Sequence, residues 1–233
     1  MISTENFEWK TISHDLHSRG YAIVKNVLEE NECANLIGQY DNPAMYRKTI
    51  SMERYRFGQG EYKYFQYPLP GLIQKLRESC YPNLVPIANE WMQQLNLPHR
   101  YPAEFTKFQE ECSRQGQLKP TVLILKYGEG GHNTLHQDLY GEVFFPIQMV
   151  IFLNQADRDY AGGEFVLVQQ TPRAQSKAIV LKPAMGDILL FTTNFRPLKG
   201  SRGYYRVNMK HGVSEVTAGN RFTLGIIFHD ALS

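Results

Sequence analysis

From Thr121 onward the chain is a succession of short apolar runs, "TVLILKY", "FPIQMVIFLN", "GEFVLVQQ", "KAIVLKP", "GDILLFTT" and "RFTLGIIFHD", parted by Gly, Pro and Asn. Runs of this length, rich in β-branched and aromatic residues and closed by turn formers, read as strands. Following one another with turn residues between them, they favour a β-sandwich or jelly roll. The preceding part has a different texture. "TISHDLHSRG" reads as a helix opened by a Thr or Ser cap and closed at Gly20, followed by the β-prone "YAIVKNVL". "EENECANLIGQY" carries acids in its first turn, as a helix start prefers. In "LVPIANEWMQQLN" the residues Leu84, Ile87, Trp91 and Leu95 recur at helical spacing, and a further helix is expected through "AEFTKFQEECSRQ". The expected fold is mainly β with helical support: residues 1–117 a mostly helical supporting region, residues 118–233 a β core, together one structural domain.

A hydrophobic fraction of 42% beside 21% charged residues is that of a globular protein with a core of its own. No apolar run approaches the roughly 20 residues of a membrane span, and "MISTENFEWK" lacks the pattern of a secretory signal, so a cytoplasmic location is expected. Cys33, Cys80 and Cys112 form no C-x-x-C pair and read as buried thiols. A net charge of +2 is far from the footprint of an obligate nucleic-acid binder, so any partner must be read from local patches.

The chemistry lies in "LHQDLY". His136 and Asp138 are two apart, so on an extended chain they point to one side. His211 follows far downstream, after several strands have had room to return across a sheet. Two imidazoles and one carboxylate on one face of an ion leave positions open for non-haem iron(II) chemistry, while a zinc hydrolase could use the same residues. Arg221 separates the two readings. It begins "RFTLGIIF", whose alternation puts Arg221 and Thr223 on one face, and a guanidinium beside a hydroxyl suits the far carboxylate of a dicarboxylate.

The series "HQD", "HGV", "RFT" resembles the iron(II)- and 2-oxoglutarate-dependent dioxygenases. "FGQGEYKYFQYPLP", "YGEGGHNTLHQDLYGEVFFPIQ", "GGEFVL" and "HGVSEVTAGNRFTLGIIFHDA" resemble more closely one bacterial family of that group, described as acting oxidatively on damaged DNA; the likeness covers Arg54 to Ala231. The resemblance implies a double-stranded β-helix with His136, Asp138 and His211 as the ligands of Fe(II) and as catalytic residues. Arg221 and Thr223 would anchor 2-oxoglutarate, O2 being the co-reactant. Tyr127, nine positions before His136, matches a tyrosine that hydrogen-bonds the cosubstrate in related enzymes. His132, a loop histidine among glycines, reads as solvated, and His229 as hydrogen-bonded beside Asp230; His14, His17 and His99 lack ligand spacing.

Two basic, aromatic segments are expected at the mouth: residues 46–65, read as a substrate-covering hairpin, and residues 196–210, with Arg196, Lys199, Arg202, Arg206, Lys210, Tyr204 and Tyr205. Both suit a single-stranded or flipped nucleotide. Alkylated-DNA repair dioxygenases carry a second Arg six residues after the first, where this chain has Ile227. Peptidyl (prolyl-type) or small-molecule hydroxylation therefore stays open, as does a non-catalytic 2-oxoglutarate or metal sensor.

Overall fold

The structure is a computed structural model that describes residues 4–233; Met1–Ser3, part of the start read for a secretory signal, lie outside the described residues. It contains helices α1 (Trp9–Arg19), α2 (Glu30–Gly38), α3 (Gly71–Gln94) and α4 (Phe105–Arg114). The strands before residue 117 are β1 (Tyr21–Val24), β2 (Tyr46–Ser51), β3 (Gly58–Gln59) and β4 (Glu61–Phe65). Those after it are β5 (Leu123–Tyr127), β6 (His132–His136), β7 (Ile147–Phe152), β8 (Tyr160–Gly162), β9 (Phe165–Gln170), β10 (Lys177–Leu181), β11 (Ile188–Thr192), β12 (Phe195–Gly200), β13 (Gly203–Val213), β14 (Val216–Gly219) and β15 (Arg221–Ile226). Each of the six apolar runs forms one of these strands.

Apart from the separate pair β8 and β14, the strands make two facing sheets. The larger has the order β1-β11-β7-β15-β5-β4-β2, and the smaller β10-β9-β13-β6-β3 with β12 beside β13. The chain passes from one sheet to the other and back: β5 large, β6 small, β7 large, β9 and β10 small, β11 large, β13 small, β15 large. That antiparallel winding is a jelly roll, the double-stranded β-helix expected, and the sheets remain open rather than closing into a barrel.

Burial explains the patterning. Every residue of β7 is buried, because the helices cover one face of the large sheet and the small sheet covers the other. Ile147, Met149 and Ile151 join the core under the helices, together with Leu16, Trp91 and Phe108. Val150 and Phe152 instead meet Phe165, Leu167 and Met209 of the small sheet.

Some expectations need amendment. The four strands β1 to β4 come from residues 1–117, so that part is not only a helical support: β1 and β2 are the two edges of the large sheet. Helix α1 starts at Trp9 with Glu8 before it and no side-chain cap. Trp9 packs on the core and its indole N–H donates to Thr4 O at 3.0 Å, which draws the helix start ahead of Thr11. Its end is as read: Gly20 takes φ 80° and returns its N–H to Leu16 O. Helix α3 begins at Gly71, well before Leu84, and runs through Pro82 and Pro86. Proline in a helix interior costs about 3 kcal/mol, and the buried row Ile73, Leu76, Cys80, Leu84 and Trp91 offsets it. Cys33, Cys80 and Cys112 are buried and free. No helix among the described residues is long and apolar enough to cross a membrane.

Candidate metal and cosubstrate site

Strand β6 ends at His136, and β13 lies beside it with His211 directly opposite. This register, not sequence proximity, brings the two rings together, with centroids 4.2 Å apart. Asp138 lies just past the end of β6, so the alternation of a strand does not hold it; Gln137 does. The Gln137 amide points the other way and donates to Asn194 O and Met209 O, both at 2.8 Å, which leaves Asp138 facing the two imidazoles. His211 Nε2 is 3.1 Å from Asp138 Oδ2, and His136 Nε2 is 3.6 Å from Asp138 Oδ1. All three donor atoms fall within 4.8 Å of one another, the spacing of ligands about 2.1 Å from a shared ion.

The surroundings prepare these atoms. His136 Nδ1 lies 2.7 Å from Thr134 O and donates to it, which leaves the Nε2 lone pair for an ion. The His211 ring stacks on Phe165 at 14° and meets the edge of Phe191. Burial pushes the His211 pKa down, and neighbouring His136 does so further, against the raising effect of Asp138. For Asp138 burial works against ionisation, but His211, His136 and the Tyr140 hydroxyl outweigh it and hold the carboxyl well below its usual range. Tyr140 donates to Asp138 Oδ1 at 2.8 Å and stands 3.2 Å from the Tyr64 hydroxyl. Sequence reasoning missed Tyr140; its signal was a hydroxyl two residues beyond the ligand, in "HQDLY".

Arg221 opens β15 opposite Tyr127 of β5. It is 1% exposed, its guanidinium lying 5.5 Å from the centroid of the Tyr127 ring and 5.4 Å from that of Phe152. Nη1 donates to Thr223 Oγ1 at 3.4 Å, while Nε and Nη2 have no partner, and Arg221 makes no salt bridge among the described residues. A buried cation left in this state asks for an anion, and the two free N–H groups form the fork that grips a carboxylate. Tyr127 is buried and accepts from Asn133 Nδ2 at 3.3 Å. Two glycines make the room. A Cβ on Gly163, at φ +65°, would stand 2.8 Å from Arg221 Cδ, and one on Gly60 2.9 Å from Tyr127 Cδ1. The residues thus fit both an iron ion and a dicarboxylate.

A cavity of about 290 Å³ opens beside the triad, walled by His136, Asp138, Tyr62, Tyr64, Tyr140 and Gln148 among others. Gln148 is 1% exposed and its Nε2 has no partner, a state worth about 1–3 kcal/mol of unmet hydrogen bonding. The segment 46–65 is a hairpin, β2 pairing with β4, and lends Phe57, Tyr62 and Tyr64 to this cavity. The segment 196–210 lends none. Its hairpin tip instead lies by α3, where Tyr204 shares a shallow depression with Asn89, Gln93 and Arg100. Arg196 is buried, bonded to Gln169 Oε1 at 2.8 Å and to His17 O at 3.2 Å, so it is no phosphate contact. His132 and His229 stand outside the cluster: His132 Nδ1 meets Gly130 O at 3.1 Å, and His229 Nδ1 accepts from Phe145 N at 3.1 Å.

The sequence model of a family described as "Oxygenase, catalysing oxidative methylation of damaged DNA" matches residues 60–231. An uncharacterized protein of Mycobacterium tuberculosis strain H37Rv is 36% identical over 227 residues, 97% of this chain and 92% of that protein. Among solved structures, a Pseudomonas putida prolyl-4-hydroxylase superposes with a TM-score of 0.58 at 12% identity, covering 95% of this chain and 98% of that one. A Trichoplax adhaerens prolyl hydroxylase, solved with a peptide fragment of hypoxia inducible factor, gives 0.57 at 17% identity, covering 95% and 89%. A 2OG-Fe(II) oxygenase family protein of Burkholderia pseudomallei gives 0.55 at 13%, covering 97% and 93%. At such identities the likeness to the solved structures is one of fold.

Proposed function

Because the chain belongs to the oxygenase family described by oxidative action on damaged DNA, we propose that it oxidises a damaged base held in this cavity. In this reading His136, Asp138 and His211 hold the iron, and Arg221, Thr223 and Tyr127 hold 2-oxoglutarate. The protein is a non-haem iron(II)- and 2-oxoglutarate-dependent dioxygenase that uses O2. The observation that carries the site assignment is the buried, unpaired Arg221 fork on the large sheet, which faces the small sheet that bears His136 and His211.

The iron, when bound, couples decarboxylation of 2-oxoglutarate to succinate and carbon dioxide with hydroxylation of a substrate C–H bond. The chain's residues set the stage for it. Thr134 O fixes the His136 tautomer, Tyr140 orients the Asp138 carboxylate, and the aromatic stack fixes His211. Arg221 sets the direction in which the diacid lies. Hydroxylation of an N-methyl carbon would leave a carbinol that releases formaldehyde and the unmethylated base.

Support for a nucleic-acid substrate, beyond the family description, is the turn "ERYRF". Tyr55 and Phe57 are exposed and stack at 5.5 Å and 18° beside exposed Arg54 and Arg56, and Phe57 is also a wall of the cavity. Stacking rings with cations alongside are what an unpaired base and its phosphates require. The test is aerobic incubation of iron-loaded protein and 2-oxoglutarate with methylated oligonucleotides and with a peptide library. Succinate is followed, together with losses of about 14 Da or gains of about 16 Da, masses fixed by hydroxylation and demethylation. Demethylated oligonucleotide, lost with succinate in His136→Ala and Asp138→Ala, supports the reading. Hydroxylated peptide with untouched oligonucleotide removes it in favour of a peptidyl hydroxylase. Bound 2-oxoglutarate without succinate under any condition would mark a sensor.

A further inference from the structure

The inner face of the large sheet runs from Arg221 to the cavity, whose wall takes Val150, Gln148, Gly225 and Ile227 from it but not Arg221, Thr223 or Phe152. On β15 the residues facing inward are Arg221, Thr223 and Gly225, continued by Ile227, while Leu224 and Ile226 join the core under the helices. On β7 the inward set is Phe152, Val150 and Gln148. Thr223 lies opposite Phe152 and Gly225 opposite Val150, so the same register carries Gln148 to Ile227. Phe152 contacts Arg221, and four residues of extended chain, about 13 Å, separate Phe152 from Gln148. A five-carbon diacid gripped by Arg221 is too short to reach that far end, so Gln148 faces the space left for substrate.

The Tyr64 and Tyr140 hydroxyls of the cavity are already committed. The Tyr140 hydroxyl is bound to Asp138 and the Tyr64 hydroxyl to Tyr140; Leu123, Ile227 and Phe191 are apolar. Gln148 alone offers a buried amide N–H with nothing to donate to. The cavity wall also includes no carboxylate except Asp138, which the metal site takes. Resting on the oxygenase reading above, we infer that Gln148 is the specificity-determining contact and that it selects neutral, planar, carbonyl-bearing bases. Its amide donates to a carbonyl oxygen next to the alkylated nitrogen. The substrate class is an N-methyl imide of the 3-methylthymine type. A cationic base such as 1-methyladenine finds no free counter-ion there, and the amino group beside its methyl can use only the amide oxygen, which leaves the buried N–H unpaired.

The test uses full-length protein loaded with Mn(II) and 2-oxoglutarate. Its probes are single-stranded oligonucleotides with one 3-methylthymine, one 1-methyladenine or no modification, and binding is read by fluorescence anisotropy. Wild type is expected to prefer the 3-methylthymine probe by about fivefold, the worth of one neutral hydrogen bond. Gln148→Leu, which deletes an unpaired buried amide and so melts no lower than wild type, loses that preference. It keeps its affinity for the unmodified probe and, by calorimetric titration, for 2-oxoglutarate. Gln148→Glu, an acceptor with charge, shifts preference toward 1-methyladenine. A wild type without preference overturns the inference, as does a preference that survives Gln148→Leu. A tenfold loss of 2-oxoglutarate affinity in Gln148→Leu overturns it too, placing the amide on the cosubstrate. Wild type that binds no 2-oxoglutarate at all would instead bring down the oxygenase reading of the site, and the inference with it.

Discussion

A guanidinium buried with two nitrogens unpaired destabilises the empty protein and becomes useful only when an anion arrives. Arg221→Met keeps the length of the side chain and removes the charge. It should leave the melting temperature unchanged or higher without ligand, yet weaken 2-oxoglutarate by about 30-fold or more, the scale of losing a buried charge-assisted pair; anaerobic titration against thermal unfolding separates the two effects. Tyr140→Phe removes the hydroxyl that orients Asp138. Metal affinity should fall about tenfold with little change in stability, read by Mn(II) titration in electron paramagnetic resonance; unchanged affinity would make the contact incidental. At this scale the candidate ligands and Arg221 could be singled out because H-x-D, a distant His and an Arg-x-Thr are linear patterns of residue type. Tyr140, Gln148 and Gln137 were not, since a tyrosine or a glutamine reads alike on a surface and in a cavity. Arg196 was misread for the complementary reason: nothing in "FRPLKG" tells that its side chain is drawn under α1 toward His17 O.

Elements carry the site because their registers multiply what single residues offer. The pairing of β6 with β13 sets His136 against His211, and that of β15 with β5 sets Arg221 against Tyr127. Gly163, just ahead of β9, belongs to this level: its missing side chain and its φ of +65° make room for the Arg221 stem. Gly163→Ala should raise KM for 2-oxoglutarate while leaving iron affinity as it was, and cost about 1–3 kcal/mol in urea unfolding through backbone strain; a weakened iron site with normal KM would contradict this. The six core strands showed in the sequence through apolar runs cut by turn residues. Helix α3 showed only in its second half, from Leu84, where the helical spacing of apolar residues is plain; it in fact starts at Gly71 and runs through both Pro82 and Pro86, carried by its buried row. The strands β1, β2 and β3 were partly concealed for another reason: edge strands mix polar and apolar residues, and Tyr46–Ser51 has a single fully buried position.

For the whole molecule, the C-terminal stretch fastens the helical layer to the loop that carries Asp138. Arg77 of α3, wholly buried, donates to Phe228 O at 2.8 Å and pairs with Asp230 at 2.6 Å, and Gln117 bonds both Asp230 O and Val143 O. His229 sits within this fastening, fully buried, its Nδ1 accepting from Phe145 N and its O accepting from Thr121. Burial pushes its pKa down from 6.5 to about 3. A histidine held neutral binds fewer protons folded than unfolded between these values, so it lowers stability as pH falls through that window, by up to about 1.4 kcal/mol per pH unit. Asp138, whose folded pKa is also depressed, adds its loss only below the ordinary carboxylate range near pH 4, which leaves about pH 4.5–6.5 to the histidines. His211 shifts in the same direction, so the wild-type slope alone does not single out His229. His229→Asn does, since an amide oxygen can take the Phe145 N–H without titrating. Urea unfolding of the two proteins across that range should show the wild type falling more steeply by about one proton's worth of slope, with the curves approaching each other as acid is added. Parallel curves would mean that His229 is reached by water and protonates in the folded state, and the fastening would then be looser than its hydrogen bonds indicate.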